Sequence, residues 1–421
     1  MTATSPLPTL SVDRRSQWTF IGMAGRAVLS MVVILAVARS LGTEGYGVFA
    51  GMVAFVTLLA PISTLGIGET LVQEVSRDRS DFGRAWGSVL VANLSIGVVL
   101  YVLTVALASV VLPGRDMVAI ALLGAMEFVS AGLLLNHGRA CAALDRFPAV
   151  AAHQIGEGLA RAGAALIFWY SGSTDLRVLA LLMFAGVLLA ALVSTVWLAV
   201  SVGRPQLRGI DIRSEGRAGI PFAVGQTSAA VQANVDKTML VSFEFDEEAG
   251  IYAAGYRMIA YAMMPVMSVL AASYPEFFRR GKVGFASAMQ YSRELRPRVI
   301  GLGVLAGIGA VALSPIAAWI LADQFGGVVP VVVALSVYPV IKGLQLVTAD
   351  VLTGSGHQSF RARAVLLTAV LNIGLNLALI PDFTWKGAVA ATYLSELAFL
   401  AIVVVKIRAI YRRRQNGEPV A

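Results

Sequence analysis

Five basic residues stand inside long apolar runs of this 421-residue chain: Arg26, Arg161, Lys237, Arg257 and Lys342. A charge away from water is costly, so such residues face a wet cavity, an ionic partner, or both. Arginine in that setting can grip phosphate oxygens with two parallel donors. Gly22 and Ser30 lie one helical turn either side of Arg26 and make a small, polar stripe suited to a cavity wall. Snorkelling of Arg26 to the headgroups is the structural alternative. His153, Glu157 and Arg161 follow one another at single-turn spacing, which gives either mutual neutralisation or a titratable ion site. Ser228, Gln232 and Asp236 recur at four-residue steps, with Gln226, Asn234 and Lys237 at neighbouring angles. A helix facing lipid could not carry that load. Asp236 is read two ways, as an ion-coupling site or as a structural partner of Arg257. Glu127 and Glu396 have no partner close in sequence, and ion coupling, protonation and pairing across a bundle all stay open for them.

The elements that must position these residues are membrane helices. Hydrophobic residues make up 57% of the chain and charged residues 14%, with a mean hydropathy of +0.76. Roughly a quarter of an average soluble domain is charged, so a soluble enzyme is excluded. Twelve apolar spans are expected, near 19–38, 47–66, 85–112, 117–137, 151–171, 178–201, 219–243, 250–274, 299–322, 328–349, 364–381 and 387–405. The first is too long, and lacks the small-residue cleavage site, for a removed signal peptide. Arg14-Arg15 reads as a cytoplasmic flank and not as a twin-arginine signal. Pro61, Pro265, Pro315 and Pro339 are expected to interrupt spans, and Pro61, Pro265 and Pro339 are candidate hinges. The single Cys141 allows no internal disulfide, and three histidines are too few for a metal cage.

An even number of spans puts both termini on one side. The segments sharing that side carry most of the 33 Lys and Arg residues, while the opposite loops hold Arg39, Arg115, Arg177 and Lys386. That bias makes both termini cytoplasmic. The outer loops, such as Pro113–Asp116, are too short to house a catalytic domain. No phosphate-binding glycine loop is present, and Gly301-Leu302-Gly303 reads as a helix-packing site. The basic segment 204–218 falls where a link between two halves would lie. The expected organisation is a cytoplasmic tail (1–18), an N-terminal six-helix lobe (19–203), that linker, a C-terminal six-helix lobe (219–408) and a basic tail (409–421).

The halves match at an offset of 203 residues. Thr43-Glu44-Gly45-Tyr46-Gly47-Val48-Phe49-Ala50 precedes span 2, and Asp246-Glu247-Glu248-Ala249-Gly250-Ile251-Tyr252-Ala253 precedes span 8. Each half has an even number of helices, so the repeat is parallel, about an axis along the membrane normal. Arg39-Ser40-Leu41-Gly42-Thr43-Glu44-Gly45-Tyr46-Gly47 resembles the first-loop signature of polysaccharide- and O-antigen-type flippases in the multidrug/oligosaccharidyl-lipid/polysaccharide (MOP) exporter superfamily. Leu65-Gly66-Ile67 is similar to the end of their second helix. Asn234-Val235-Asp236-Lys237, Ala249–Ala254 with Arg257, and Tyr274-Pro275-Glu276 resemble their helix 7–8 segment. Asn372–Leu377, Ile380-Pro381 and Trp385–Ala391 resemble their helix 11–12 junction.

The resemblance implies an all-α integral membrane fold of two six-helix lobes around a central cavity that opens alternately to each side. It implies a transporter, not an enzyme, with undecaprenyl-diphosphate-linked oligosaccharide as cargo. It also strengthens the cavity reading of Arg26, because an arginine in helix 1 belongs to the cationic cavity of the lipid II flippase type. The expected activity is flipping of such a cargo to the outer leaflet of a bacterial cytoplasmic membrane, for export of surface polysaccharide. The expected substrate-binding set is Arg26, Ser30, Gln232, Lys237, Arg257 and Lys342. The expected ion-coupling set is Glu127, His153, Glu157, Arg161, Asp236 and Glu396. No cofactor is expected. The drive would be an H+ or Na+ gradient, the membrane potential, or consumption of cargo outside. Partners would be membrane lipids and other glycan polymerase or export proteins, and no nucleic acid. Rival readings are a drug or cation antiporter of the same superfamily and a membrane glycan polymerase or ligase. The topology predicts that alkaline phosphatase fused after Asp116 is active and after Gln206 inactive; the reverse pattern would overturn the orientation.

Overall fold

The structure is a computed structural model that describes residues 12–415 except 65, 78, 80, 81, 208–211 and 322. The expected tail up to residue 11, linker residues 208–211 and the chain from 416 lie outside the described residues. Among the described residues the regular structure is entirely helical. Six helices, or eight if each of two bent pairs is one span, are long and apolar enough to cross a membrane. Two of those six hold two spans each. Spans 1 and 2 join within Val12–Leu58 at Gly42, whose φ of 69° is open to glycine at no steric cost. Spans 11 and 12 join within Gln358–Gln415 at Thr384. Two further helices fall outside the apolar set: Phe147–Tyr170, which is span 5, and Ile212–Ser242, which is span 7. They carry Glu157 with Arg161, and Gln232 with Asp236 and Lys237. With them the fold has twelve spans. Both helices that fall outside the apolar set carry candidate site residues.

The proline expectations divide. Pro61 lies in the 3-10 turn Ala60–Thr64 that ends the straight part of span 2. Pro265 opens Met264–Val283, after a bend of 47° from Asp246–Ala262, and Pro339 opens Tyr338–Gly354 after a bend of 41°. Pro315 does not interrupt its span. The helix Phe285–Leu321 runs unbroken through it and through Pro297, so each missing N–H bond is absorbed without ending the helix.

Packing divides the chain into two compact units. One runs to Ser40 and resumes over Val56–Ala223; the other takes Leu41–Phe55 with the chain from Val224 onward. This division differs from the sequence boundaries, since the corner 41–55 packs with the second unit. In the first unit, Ile67, Leu71 and Val75 present one face of a short helix to Phe82, Trp86 and Val89 at the start of span 3. Asp145 receives Arg15 at 3.1 Å and Arg79 at 3.8 Å. In the loop before span 4, Asp116 caps the helix through the N–H groups of Val118 and Ala119, and Arg177 Nε lies 2.5 Å from its carboxylate. Burial opposes ionisation of Asp116, but these donors outweigh it and hold its carboxyl below the usual range.

Within the second unit the two halves of the repeat touch at matching glycines. A Cβ on Gly47 would overlap the carbonyl oxygen of Asp246 and the nitrogen of Gly250; a Cβ on Gly250 would overlap the carbonyl oxygen of Thr43. Residue 43 faces 250 and residue 246 faces 47, and both pairs exchange under the 203-residue offset. This is the reciprocity of a two-fold contact. The repeat in the sequence therefore records a direct backbone contact that only glycine permits. Gly47→Val should cost about 1–3 kcal/mol by overpacking and lower Tm, while Gly301→Ala, whose Cβ would meet open space, should leave Tm unchanged. Equal Tm for both variants would refute the close contact.

Candidate functional site

The first unit gathers two arginines and two carboxylates in one network. Span 4 is not a plain α-helix: Met126–Ala131 forms a π-helical turn between Met117–Ala125 and Gly132–Ala143. Such a turn leaves main-chain carbonyls underused. Here the Asn93 amide donates to the carbonyls of Val129, at 3.2 Å, and Phe128, at 3.4 Å. Glu127 lies in this turn. It accepts from Arg161 Nη2 at 2.8 Å. Arg161 also donates from Nε to Glu157 at 3.1 Å, and Arg26 Nη2 of span 1 reaches the same Glu157 oxygen at 3.3 Å. Gly22 lets span 1 approach span 5, because a Cβ there would meet Ala151 and Gln154.

Exposure separates the two arginines. Arg161 is closed in, with 20% of its side chain exposed, and Glu157 with 9%; Arg26 remains 51% exposed. Ser30 is half-buried one turn along the helix. His153 is held by Ser194 at 2.9 Å on Nδ1 and Cys141 Sγ at 3.4 Å on Nε2, and its ring lies 6.2 Å from that of His137. The sequence placed Glu157 beside Arg161; Arg26 and Glu127 join them through folding, across sequence separations of 131 and 34 residues.

The second unit holds a separate polar chain. Asp236 does not take Arg257 as its main ionic partner. Its carboxylate receives Lys237 Nζ at 3.0 Å and the Tyr252 hydroxyl at 2.6 Å, because the ammonium folds back along its own helix to the Ala233 carbonyl, at 2.5 Å. The same ammonium lies 3.8 Å from the centre of the Tyr256 ring, in cation–π reach. The Tyr256 and Tyr338 rings are 6.0 Å apart. One turn beyond Tyr338, Lys342 Nζ meets Glu396 at 2.7 Å, and the Gln345 amide also donates to Glu396. Arg257 is exposed and lies close enough to Lys237 and Tyr46 to act on them electrostatically. Gln232 donates to Thr368 Oγ1 at 2.9 Å. Asp350, two turns beyond Lys342, pairs with Arg361 at 2.7 Å.

Sequence reasoning missed Tyr252, Tyr256 and Tyr338, the Gln345 donor, and Asn93. The tyrosines left a weak signal, since 252 and 256 stand one turn apart beside Arg257. Nothing in the sequence marks the π-helical turn. Among the described residues no cluster of three or more His, Cys, Asp or Glu side chains could hold a metal ion.

The sequence model of a family described as "polysaccharide biosynthesis protein" matches residues 14–280. The chain belongs to that family. No curated protein matches it. Solved structures extend the likeness to the full fold. An inward-facing multidrug resistance transporter of the MATE family in the MOP superfamily is 14% identical, with a TM-score of 0.67 over 98% of this chain and 97% of that one. An outward-facing MATE transporter is also 14% identical, with a TM-score of 0.64 over 95% and 96%. The MATE multidrug transporter DinF-BH, solved in a complex, is 15% identical, with a TM-score of 0.67 over 98% of each chain. The chain is a multi-pass membrane protein with the fold of those transporters. In this fold, removing one member of the Lys342–Glu396 pair should be worse than removing both. Lys342→Met and Glu396→Leu should each reduce folded yield through an uncompensated charge, and the double variant should recover most of it. Additive losses would show that the pair is not coupled.

Proposed function

We propose that the transporter flips a polyprenyl-diphosphate-linked oligosaccharide from the cytoplasmic to the outer leaflet of a bacterial cytoplasmic membrane, by alternating access, with both termini cytoplasmic. The cargo sets the requirements. Its diphosphate and sugars cannot enter hydrocarbon, while its polyprenyl tail can remain there. The protein must therefore offer a wet, cationic surface to the head and leave the tail in lipid. The observation that carries this reading is Arg26: half-open, on span 1, in a chain of the polysaccharide biosynthesis family. Its guanidinium can present two donors to a diphosphate. Lys237, Arg257 and Lys342 are the further cationic candidates in the second unit, and Gln232 and Ser30 are candidates for sugar or phosphate hydrogen bonds.

A cationic drug is a poorer cargo for a site whose open member is an arginine, although the solved transporters with this fold include multidrug carriers. Bends at Met263 and before Tyr338 are the candidate hinges of the cycle, with Pro265 and Pro339 marking them and Pro61 marking the break in span 2. Energy would come from an ion gradient, the membrane potential or consumption of cargo outside, with Asp236, Glu157 and Glu396 as candidate coupling carboxylates. The test is profiling of lipid-linked glycans in a deletion strain. A lipid-linked oligosaccharide should accumulate on the inner leaflet and clear on complementation. Arg26→Ala should fail to complement at normal protein level, and Arg26→Lys should complement in part. Full export by Arg26→Ala would remove this residue from the path, and absence of any accumulated glycan would overturn the reading.

A further inference from the structure

The network around Arg26 has a consequence for how an anion could bind there. Arg26, Arg161, Glu127 and Glu157 sum to zero charge, and they share their contacts unequally. Arg161 is closed in and grips both carboxylates. Arg26 is the open member and touches only one oxygen of Glu157, at the long distance of 3.3 Å. An incoming anion can reach Arg26 without disturbing Arg161, yet it must compete with the carboxylate already there.

We propose that Glu157 is a built-in competitor that sets the affinity of Arg26 for an anionic head group, and that anion binding draws a proton onto Glu157. This rests on the proposed diphosphate cargo. When a diphosphate oxygen takes Arg26, Arg161 alone faces two carboxylates in apolar surroundings. Glu127 keeps its 2.8 Å contact with Arg161. Glu157 loses one of its two cationic partners and becomes the better proton acceptor: a proton from water bonds to its free oxygen, and neutrality is restored. Release reverses the sequence. The carboxylate returns to Arg26, the proton leaves to water, and the head group is not trapped by an unopposed guanidinium.

The other titratable groups near Glu157 are accounted for. His153, one turn earlier on the same helix, has both ring nitrogens engaged, by Ser194 and Cys141. His137 of span 4 faces His153 and Thr195. Arg26 approaches from span 1, Glu127 from span 4 and Arg161 from span 5. Span 6 contributes Ser194 and Thr195, which do not titrate. Glu157 is therefore the group that loses a charged partner when an anion arrives.

The test measures binding of farnesyl diphosphate, a short polyprenyl diphosphate, to the full-length protein in phosphatidylcholine nanodiscs between pH 5.5 and 7.5, with binding retained by Arg26→Gln subtracted. The wild-type protein should bind more tightly as pH falls, by up to about tenfold per pH unit for one linked proton, beyond the change due to the ligand's own titration. Glu157→Gln should bind about tenfold or more tightly than wild type at pH 7.5 and lose that extra slope. The wild-type protein should also take up about one proton per ligand in weakly buffered solution, a reading that does not depend on the variant folding. Equal affinity and slope in both proteins, with no proton uptake beyond that of the ligand, would overturn the competitor role while leaving the diphosphate reading standing. Absence of binding by either protein at every pH would overturn both.

Discussion

An ionised side chain inside hydrocarbon keeps its charge only beside an opposite charge or in water. The polar interior of this protein is arranged around that constraint. Arg26, Arg161, Lys237 and Lys342 each contact a carboxylate. The carboxylates come from the same helix in some cases and from distant spans in others, so the network also specifies which helices stand together. Span 5 and span 7 can be helices in a membrane protein at all because their charges are answered by Glu127, by Arg26, by Tyr252 and by one another.

This arrangement changes what a cationic site means here. A row of unopposed cations would hold a diphosphate strongly, and release would be slow. Arg26, Arg161, Lys237 and Lys342 already touch carboxylates, so under the proposed function the head group would exchange for an internal carboxylate. Transport needs binding that is strong enough to load and weak enough to unload, and under the proposal Glu157 would supply the second half of that requirement. Arg26 differs from Arg161, Lys237 and Lys342 in being half-open, and under the proposal exchange would begin there.

Much of this was legible in the sequence. The twelve apolar runs, the polar load of span 7 and the 203-residue repeat follow from hydropathy and spacing, and the match of Gly47 with Gly250 turns out to mark a physical contact. Glu157 with Arg161 was readable because single-turn spacing is a local property. The partners of Glu127 and Glu396 were not, because Arg161 and Lys342 lie on other spans and only tertiary packing brings them near. Lys237 taking Asp236 in preference to Arg257 depends on a side-chain fold-back that no periodicity encodes. The π-helical turn at Met126–Ala131 was invisible for a similar reason: Asn93, which donates to its carbonyls, reaches across from span 3. Pro315 shows the opposite error, where a strong local signal for a break is overridden by a long helix packed along its length.

The most direct measurement of the central claim is reconstitution of the purified protein in vesicles containing both a fluorescent polyprenyl-diphosphate sugar and a neutral glycolipid of the same chain length. The account predicts protein-dependent movement of the diphosphate lipid between leaflets and none of the neutral one. Movement of both at equal rates, or transport of a cationic dye with the diphosphate lipid left in place, would contradict it.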